Sequence, residues 1–251
     1  MSPTWHWQTV AGLSYLTCSL LSAWKHGFFT RQFHGKAPED LSLLLDPRAS
    51  AYRIKQVHGN RVLKTGEVAP LDAPSRSEAD GLLSEEPNQS IWVCSADCVP
   101  VLIGDRTTGR VAALHAGWRG TAARIVPRAI ADLQDRGSQL EDLCIALGPA
   151  ISGAVYQVGL DVAEQMAASL EGSHTIATLS EGKHPVFLPD REPDRVRLDV
   201  RQVNCRQLQQ LGITTEQIAI APYCTYQDPE RFFSYRRDGL KFVQWSGIVD
   251  R

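Results

Sequence analysis

An α+β fold with mixed β-sheets is what this 251-residue sequence predicts, and three observations carry that expectation. Strand-like and helix-like segments intermix without the strict βαβ alternation of a doubly wound sheet. Hydrophobic content of 43% and charged content of 22% describe an ordinary globular chain, long enough to bury a core without metal or disulfide staples. There is no repeat and no low-complexity tract, and the polar, Pro-rich stretches 67–78 and 183–194 are short enough to be surface loops. One domain over residues 1–251 is therefore expected.

The elements follow in order. Residues 53–57 (Arg-Ile-Lys-Gln-Val) look like a strand running into the turn His58-Gly59-Asn60. Residues 91–96 read as a buried strand; 100–104 and 110–114 read as two more, joined by Asp105-Arg106-Thr107-Thr108-Gly109. A helix is expected over 121–136, with Thr121 as N-cap and Gly137 as its stop, and Pro127 must kink or shorten it. Residues 144–147 form a strand. The segment 161–170 is a helix with Val162, Met166 and Leu170 on one face. The segment 199–211 is another, with Val200, Val203, Leu208 and Leu211 aligned and Gly212 closing it. A short strand at 218–221 leads to Pro222-Tyr223-Cys224-Thr225.

Composition excludes several function classes. A net charge of −2 gives no electrostatic footprint for nucleic acid or an anionic membrane. Cys18, Cys94, Cys98, Cys144, Cys205 and Cys224 are scattered through apolar stretches with no close CxxC pair, which reads as reduced thiols in a reducing compartment. No apolar run approaches the ~20 residues that span a bilayer. The first 21 residues lack a basic start followed by an unbroken apolar core, so no signal peptide is expected and the location reads as cytoplasmic.

Three segments set a chemistry-bearing side chain near glycine: Gln56-Val57-His58-Gly59, Ala96-Asp97-Cys98, and His115-Ala116-Gly117-Trp118-Arg119-Gly120. One thiol and two imidazoles suit zinc with an open fourth position, or a Cys-His nucleophilic pair. A turn centred on Arg106 and Thr107 would set Cys98 directly opposite His115 across a hairpin, with their Cβ atoms ~4.5–5.5 Å apart; a slip through a bulge at Gly109 would change that register. Asp80 can cap a turn, and Asp97 can orient His58 or His115 as an acceptor. Gly117 and Gly120, at a strand end before a helix start, permit unusual backbone angles or close approach of a ligand. The N–H groups there attract anions, and Arg119 can add a bidentate contact to phosphate. His6, His26, His34, His174 and His184 have no ligand-like neighbours and read as structural or surface residues, and Cys94 as a buried structural thiol.

Together these segments resemble the YfiH-like family, also known as laccase-domain or multicopper polyphenol oxidoreductase proteins. The resemblance rests on Lys55-Gln56-Val57-His58-Gly59, Glu78-Ala79-Asp80-Gly81, Ala96-Asp97-Cys98-Val99-Pro100-Val101 and His115-Ala116-Gly117-Trp118-Arg119-Gly120. It extends to Leu147-Gly148-Pro149-Ala150-Ile151, Cys224-Thr225 and Phe233-Ser234-Tyr235-Arg236-Arg237-Asp238-Gly239. It implies a single domain with an α/β/β/α layered core and a zinc site made of His58, Cys98 and His115, with copper as an adventitious substitute. It also implies purine nucleoside chemistry: phosphorolysis of adenosine, inosine, guanosine and methylthioadenosine, a transferase activity, and hydrolytic deamination of adenosine. The partners would be a purine nucleoside and phosphate. Arg119, Gly117, Gly120, Tyr235 and Arg236 are the residues expected to meet substrate, with Arg237 as a further charge and Tyr223 as a second ring for base or ribose.

The chain departs from the family pattern in three places. His26-Gly27-Phe28-Phe29-Thr30-Arg31 is followed by Gln32-Phe33-His34-Gly35 and Leu41-Ser42-Leu43-Leu44 in place of a glycine- and serine-rich segment, and the region before Tyr52 is shortened. After Gly239, where the family often shows Thr-Gly-Arg, the sequence reads Leu240-Lys241-Phe242-Val243-Gln244-Trp245-Ser246-Gly247. Three rival functions have distinct signatures. A metal-free hydrolase would use Cys98 as nucleophile and His115 as base, oriented by Asp97 or His58. Copper-dependent phenol oxidation needs several copper centres, and seven histidines with no His-x-His pair do not supply them. A non-enzymatic binding or scaffold protein fits the ordinary composition and near-neutral charge, and Cys and His beside glycine speak against it.

Overall fold

The computed structural model describes residues 3–70, 73 and 75–251. Strands β1 (Trp5–Val10), β2 (Leu13–Cys18) and β3 (His26–Phe29) open the chain. Helix α1 (Pro38–Leu45) precedes β4 (Ser50–Arg53), β5 (Val62–Lys64), β6 (Gly81–Leu83) and β7 (Gln89–Ser95). Then come β8 (Val99–Asp105), β9 (Val111–Ala116), α2 (Trp118–Ala122), α3 (Ile125–Gln134) and β10 (Leu143–Leu147). β11 (Gln157–Gly159), α4 (Leu160–Ala168), α5 (Ile176–Leu179), β12 (Phe187–Pro189) and β13 (Arg195–Leu198) lead to α6 (Val200–Gln210). β14 (Ile218–Ile220), α7 (Tyr235–Asp238) and β15 (Gln244–Val249) complete the order.

Two six-stranded sheets form the centre. The first runs β1-β2-β3-β15-β7-β4 and the second β14-β10-β8-β9-β6-β5. Both are mixed: β4 lies parallel to β7, β14 to β10 and β5 to β6, and the other neighbours are antiparallel. A small third sheet, β11-β13-β12, sits beside them. The layering follows from strand alternation. In β8, Val99, Val101 and Ile103 point to α3, α4 and α6, while Leu102 points the other way into the space between the sheets. There it joins Ile91 and Val93 of β7 and Leu16 and Phe28 of the N-terminal strands. On the far face of the first sheet, Phe29 and Trp92 pack against Leu41 of α1. This gives helix, sheet, sheet, helix: an α+β fold with an α/β/β/α core.

The expected strands at 91–96 and 100–104 both form, but in different sheets. The bend at residues 96–98 carries the chain from one sheet to the other. The hairpin register differs from expectation. His115 pairs with Pro100, and Val99 with Ala116, so Cys98 precedes the paired region and does not lie directly opposite His115. The cause is the turn. The Asp105 carboxylate accepts the N–H groups of Thr107 and Thr108 (2.8 and 3.0 Å), and Gly109 takes φ +80°, which centres a four-residue turn on Thr107 and Thr108. The slip is two residues, so side chains keep their faces.

The helix expected over 121–136 is two helices. The first starts at Trp118, with Thr121 inside it and Gly117 in the N-cap place. Pro127 has no N–H to give the carbonyl of Ala123, and that oxygen instead accepts the Asn60 side-chain amide at 2.8 Å. Arg124 adopts φ +59° at the break, and Pro127 falls in the first turn of α3, where its missing donor costs little. Gly137, at φ +94°, ends the run as expected. Asp199 caps α6, accepting the Arg201 N–H at 3.0 Å. The strand expected over 53–57 stops at Arg53. Beyond it, the Gln56 side-chain amide replaces backbone pairing, bonding the N–H and carbonyl of Cys94 at 2.8 and 2.7 Å.

Candidate active site

His115 lies near the end of β9, buried, with its backbone N–H donating to the carbonyl of Asp80 at 2.7 Å. Its Nδ1 donates to Asp80 Oδ1 at 2.9 Å, which leaves Nε2 as the atom free for other chemistry. The same carboxylate, fully buried, accepts the N–H groups of Val57, His58 and Gly59 at 3.1, 2.9 and 2.7 Å. Asp80 thus caps the His58 turn, as the sequence suggested, and also orients His115, a role the sequence had offered to Asp97. His58 itself is exposed and sits at φ +61°, a backbone angle that a β-carbon tolerates poorly. Three N–H bonds to a single carboxylate hold it there.

Cys98 leaves the bend between the sheets as a half-buried thiol. Asp97, at φ +90°, does not touch either histidine. Its carboxylate accepts the Thr225 hydroxyl and the Arg236 N–H, each at 2.7 Å, and so fastens the bend to the C-terminal third of the chain. Gly117 is needed for space. A β-carbon there would stand 2.8 Å from Cys98 Sγ and 3.5 Å from a ring carbon of His58. At Gly120 it would stand 2.7 Å from the carbonyl of Gly59. Neither glycine uses a positive φ; the close approach they permit is made by the Cys98 thiol and the His58 turn.

One ligand-capable atom from each of His58, Cys98 and His115 lies within 4.8 Å of the other two. The two imidazoles meet edge to face, with centroids 4.8 Å apart. Burial works to raise the Cys98 thiol, but the facing His115 and His58 imidazoles outweigh it and bring it down to about 6. Burial likewise opposes charge on His115, and the Cys98 sulfur with the Asp80 carboxylate outweighs it, raising that imidazole to about 9. The protein alone therefore favours a thiolate beside an imidazolium. This donor set fits zinc. Three atoms so placed share a centre no farther than about 2.8 Å from each, against zinc–nitrogen and zinc–sulfur bonds of ~2.0–2.3 Å. Asp80 is the carboxylate that such histidine ligands commonly need behind them.

The other expected residues divide. Arg119 is exposed, its guanidinium over the Trp118 ring at 4.3 Å. Tyr235 is 57% exposed. Arg236 donates to the carbonyl of Gln157 at 2.9 Å and covers the Tyr156 ring at 4.8 Å. Arg237 is committed to structure, bonded to the carbonyls of Thr225, Tyr226 and Phe232 and to Asp238. Tyr223 is turned away, accepting the Trp7 indole N–H at 2.8 Å and packing on that ring. Tyr156 had no mark in the sequence. Its ring lies 4.8 Å beneath the guanidinium of Arg236, whose backbone N–H is fastened to Asp97 beside Cys98, and burial pushes its hydroxyl up to about 12. Only the return of the 148–156 loop, where Ile151 N–H reaches the carbonyl of Asp97 at 3.0 Å, brings it there. Cys94 is half-buried, and burial pushes its thiol up to about 12, an inert value.

Two mixed sheets between helical layers, with two imidazoles and a thiol gathered where β8 and β9 meet the His58 turn, define an architecture of the YfiH and YlmD type. The crystal structure of YlmD from Geobacillus stearothermophilus superposes with a TM-score of 0.82 at 25% identity, covering 98% of each chain. The Bacillus licheniformis hypothetical protein YfiH gives 0.78 at 24% identity over 98% of this chain and 99% of that one. A family model described as multi-copper polyphenol oxidoreductase laccase matches residues 39–248, and the chain belongs to that family. A purine nucleoside phosphorylase of Synechocystis sp. is 52% identical over 256 residues, covering 98% of this chain and 97% of its own. Another, of Bacteroides thetaiotaomicron, is 34% identical over 195 residues, covering 74% and 67%.

Proposed function

We propose that this chain is a purine nucleoside phosphorylase that works with zinc held by His58, Cys98 and His115, and that the same site deaminates adenosine. The convergence of those three side chains around the Asp80 carboxylate carries the reading. The family membership and the extended likeness to the Synechocystis phosphorylase support it.

Zinc held there would supply Lewis acidity toward a water or a substrate oxygen. The chain's own groups do the rest. Asp80 keeps a proton on His115 Nδ1, so the ring presents Nε2 to the site. Arg119, exposed at the start of α2, offers two parallel N–H donors to phosphate near C1′ of the ribose, and Arg236 adds a second cation. The N–H groups of the 117–121 segment remain candidates for the same anion, except that of Thr121, which is bonded to the carbonyl of Gly117. Tyr235 and Tyr156 supply rings to lie against base or ribose. Gly117 and Gly120 contribute by letting α2 pack against the thiol and the His58 turn.

A specific observation favours a second reading. A thiolate poised beside an imidazolium is also the ground state of a metal-free Cys-His hydrolase, with Cys98 attacking and His115 as proton donor. Copper-based phenol oxidation has less support. Among the described residues one cluster of three His, Cys, Asp or Glu ligands exists, and a multicopper site needs several.

One experiment separates these. Zinc-loaded and chelator-treated wild type, His58→Ala and Cys98→Ala are given adenosine, inosine, guanosine and methylthioadenosine with phosphate, and products are read by mass. Free base and inosine should form with loaded wild type and vanish together in His58→Ala, with zinc content falling in Cys98→Ala. Survival of either activity in His58→Ala would dismantle the shared site. Full activity without metal, lost in Cys98→Ala, would transfer the assignment to the thiol mechanism.

A further inference from the structure

We propose a second small-molecule site on the outer face of the first sheet, taking a flat aromatic ring that carries a carboxylate. A cavity of about 260 Å³ opens there between the 33–37 turn, β4 and the 241–245 segment. Its walls are aromatic: Phe33, Phe242 and Trp245. They are set before any ligand arrives. The Phe33 ring stands edge-on to Phe29 at 4.8 Å, and Phe242 packs on His34 and Phe233 at 4.8 and 5.4 Å.

The charges of the cavity are unbalanced. Lys36, Arg53 and Lys241 line it. Lys36 and Lys241 have no carboxylate within ion-pair distance among the described residues. The Arg53 side chain is 19% exposed, and its buried Nε lies 2.9 Å from one Glu39 oxygen in ion-pair contact but off hydrogen-bond geometry, while the other Glu39 oxygen is buried without a partner. The terminal nitrogens of the Arg53 guanidinium are left to offer a carboxylate or similar anion paired N–H bonds from the cavity wall. Three cations face one acid, so a single negative charge brings the cavity closer to neutrality. The volume holds one ring or two fused rings with a carboxylate, short of the ~300 Å³ and more of sites for larger ligands. The aromatic walls distinguish such a ligand from free phosphate, which gains nothing from them.

The cavity is lined by none of His58, Cys98 and His115, and the proposal does not depend on the function proposed for them. Trp245 and Phe33 belong to the layer packed with Trp92 and Leu41, on the α1 side of the first sheet, whereas His115 belongs to the second sheet. Lys241, Phe242 and Trp245 also come from the very stretch where the chain departs from the resembled family pattern.

The test is a titration of the full-length, zinc-loaded protein with indole-3-carboxylate and 4-hydroxybenzoate, by calorimetry and tryptophan fluorescence. The controls are indole-3-carboxamide and inorganic phosphate. One saturable site is expected, with the carboxamide about tenfold weaker or worse for want of the charge, and phosphate failing to compete. Lys241 and Phe242 are both exposed, and Lys241→Glu and Phe242→Ala should each weaken binding about tenfold. Cys98→Ala should leave it unchanged. The proposal falls if no saturation occurs by about 10 mM, or if both cavity variants bind as wild type does. It falls equally if phosphate displaces the ring compounds, or if Cys98→Ala abolishes binding.

Discussion

The His58 turn and the Cys98 bend both hold a residue in left-handed backbone, His58 at φ +61° and Asp97 at +90°, but they are fastened in opposite ways. The His58 turn hangs on one internal carboxylate: Asp80 takes three successive N–H groups and the His115 ring. The Cys98 bend is tied outward, through Asp97 to Thr225 and Arg236 and through its carbonyl to Ile151. The first arrangement concentrates the geometry of two candidate ligands in one side chain. The second spreads it over three distant partners, the nearest of them Ile151 and the farther two 128 and 139 residues away in the sequence. Asp80 should therefore be brittle, and Asp97 forgiving.

Asp80→Ala gives the largest expected effect. It strands three N–H groups and a histidine, and should cost about 3–5 kcal/mol of stability, lower zinc affinity about 100-fold and abolish turnover. Chemical denaturation and chelator competition measure both; a zinc affinity close to wild type would break the contrast at its stronger end.

The thiolate–imidazolium pair predicts the next effect, in zinc-free protein. The Cys98 thiol sits at about 6 against an ordinary 9.0, so its contribution fades as pH falls through 6. The His115 imidazole sits at about 9 against 6.5, so its contribution fades as pH rises through 9. Both shifts record one ion pair. In zinc-free wild type, alkylation of Cys98 should therefore follow an ionisation near 6, and His115→Ala should move that ionisation upward. An alkylation rate that rises only near the ordinary thiol value of 9.0 would place the proton on the sulfur.

Gly117→Ala tests the space around the thiol alone. Its backbone angle, φ −70°, suits any residue, but the new methyl would press on Cys98 Sγ. Zinc affinity should fall about tenfold while stability changes by less than about 1.5 kcal/mol. Asp97→Asn should be mildest, since an amide oxygen still accepts one of the two bonds. A loss of about 1 kcal/mol and a small rise in KM are expected, with zinc content unchanged. Loss of zinc in Asp97→Asn would erase the distinction between the two turns.

Much of this site was legible in the sequence, because the chemistry needs specific side chains and glycine marks where backbones crowd. His58, Cys98 and His115 stood out on those grounds, and the layered α+β fold followed from mixed elements and the motifs. The details that failed are those set by side chains bonding distant backbone. The Asp105 carboxylate moved the hairpin register by two residues. The Asn60 amide and Pro127 split one expected helix into two. Asp80 rather than Asp97 took the orienting role because the His58 turn folds over it, a contact spanning 22 residues that no local pattern encodes. Tyr156 was invisible for a similar reason: loop closure, not neighbours in the chain, delivers it.

The place of β15 in the first sheet has a consequence for synthesis. That strand lies between β3 and β7, pairing with both. The N-terminal hairpin and β3 therefore leave the ribosome with an unsatisfied edge, and they wait through more than two hundred further residues for the strand that joins them to β7. The hairpin of β8 and β9, by contrast, can close as soon as residue 116 emerges. Nascent chains arrested between residues 220 and 244 should hold a formed second sheet beside an open first one, the state most exposed to mispairing and to chaperone capture.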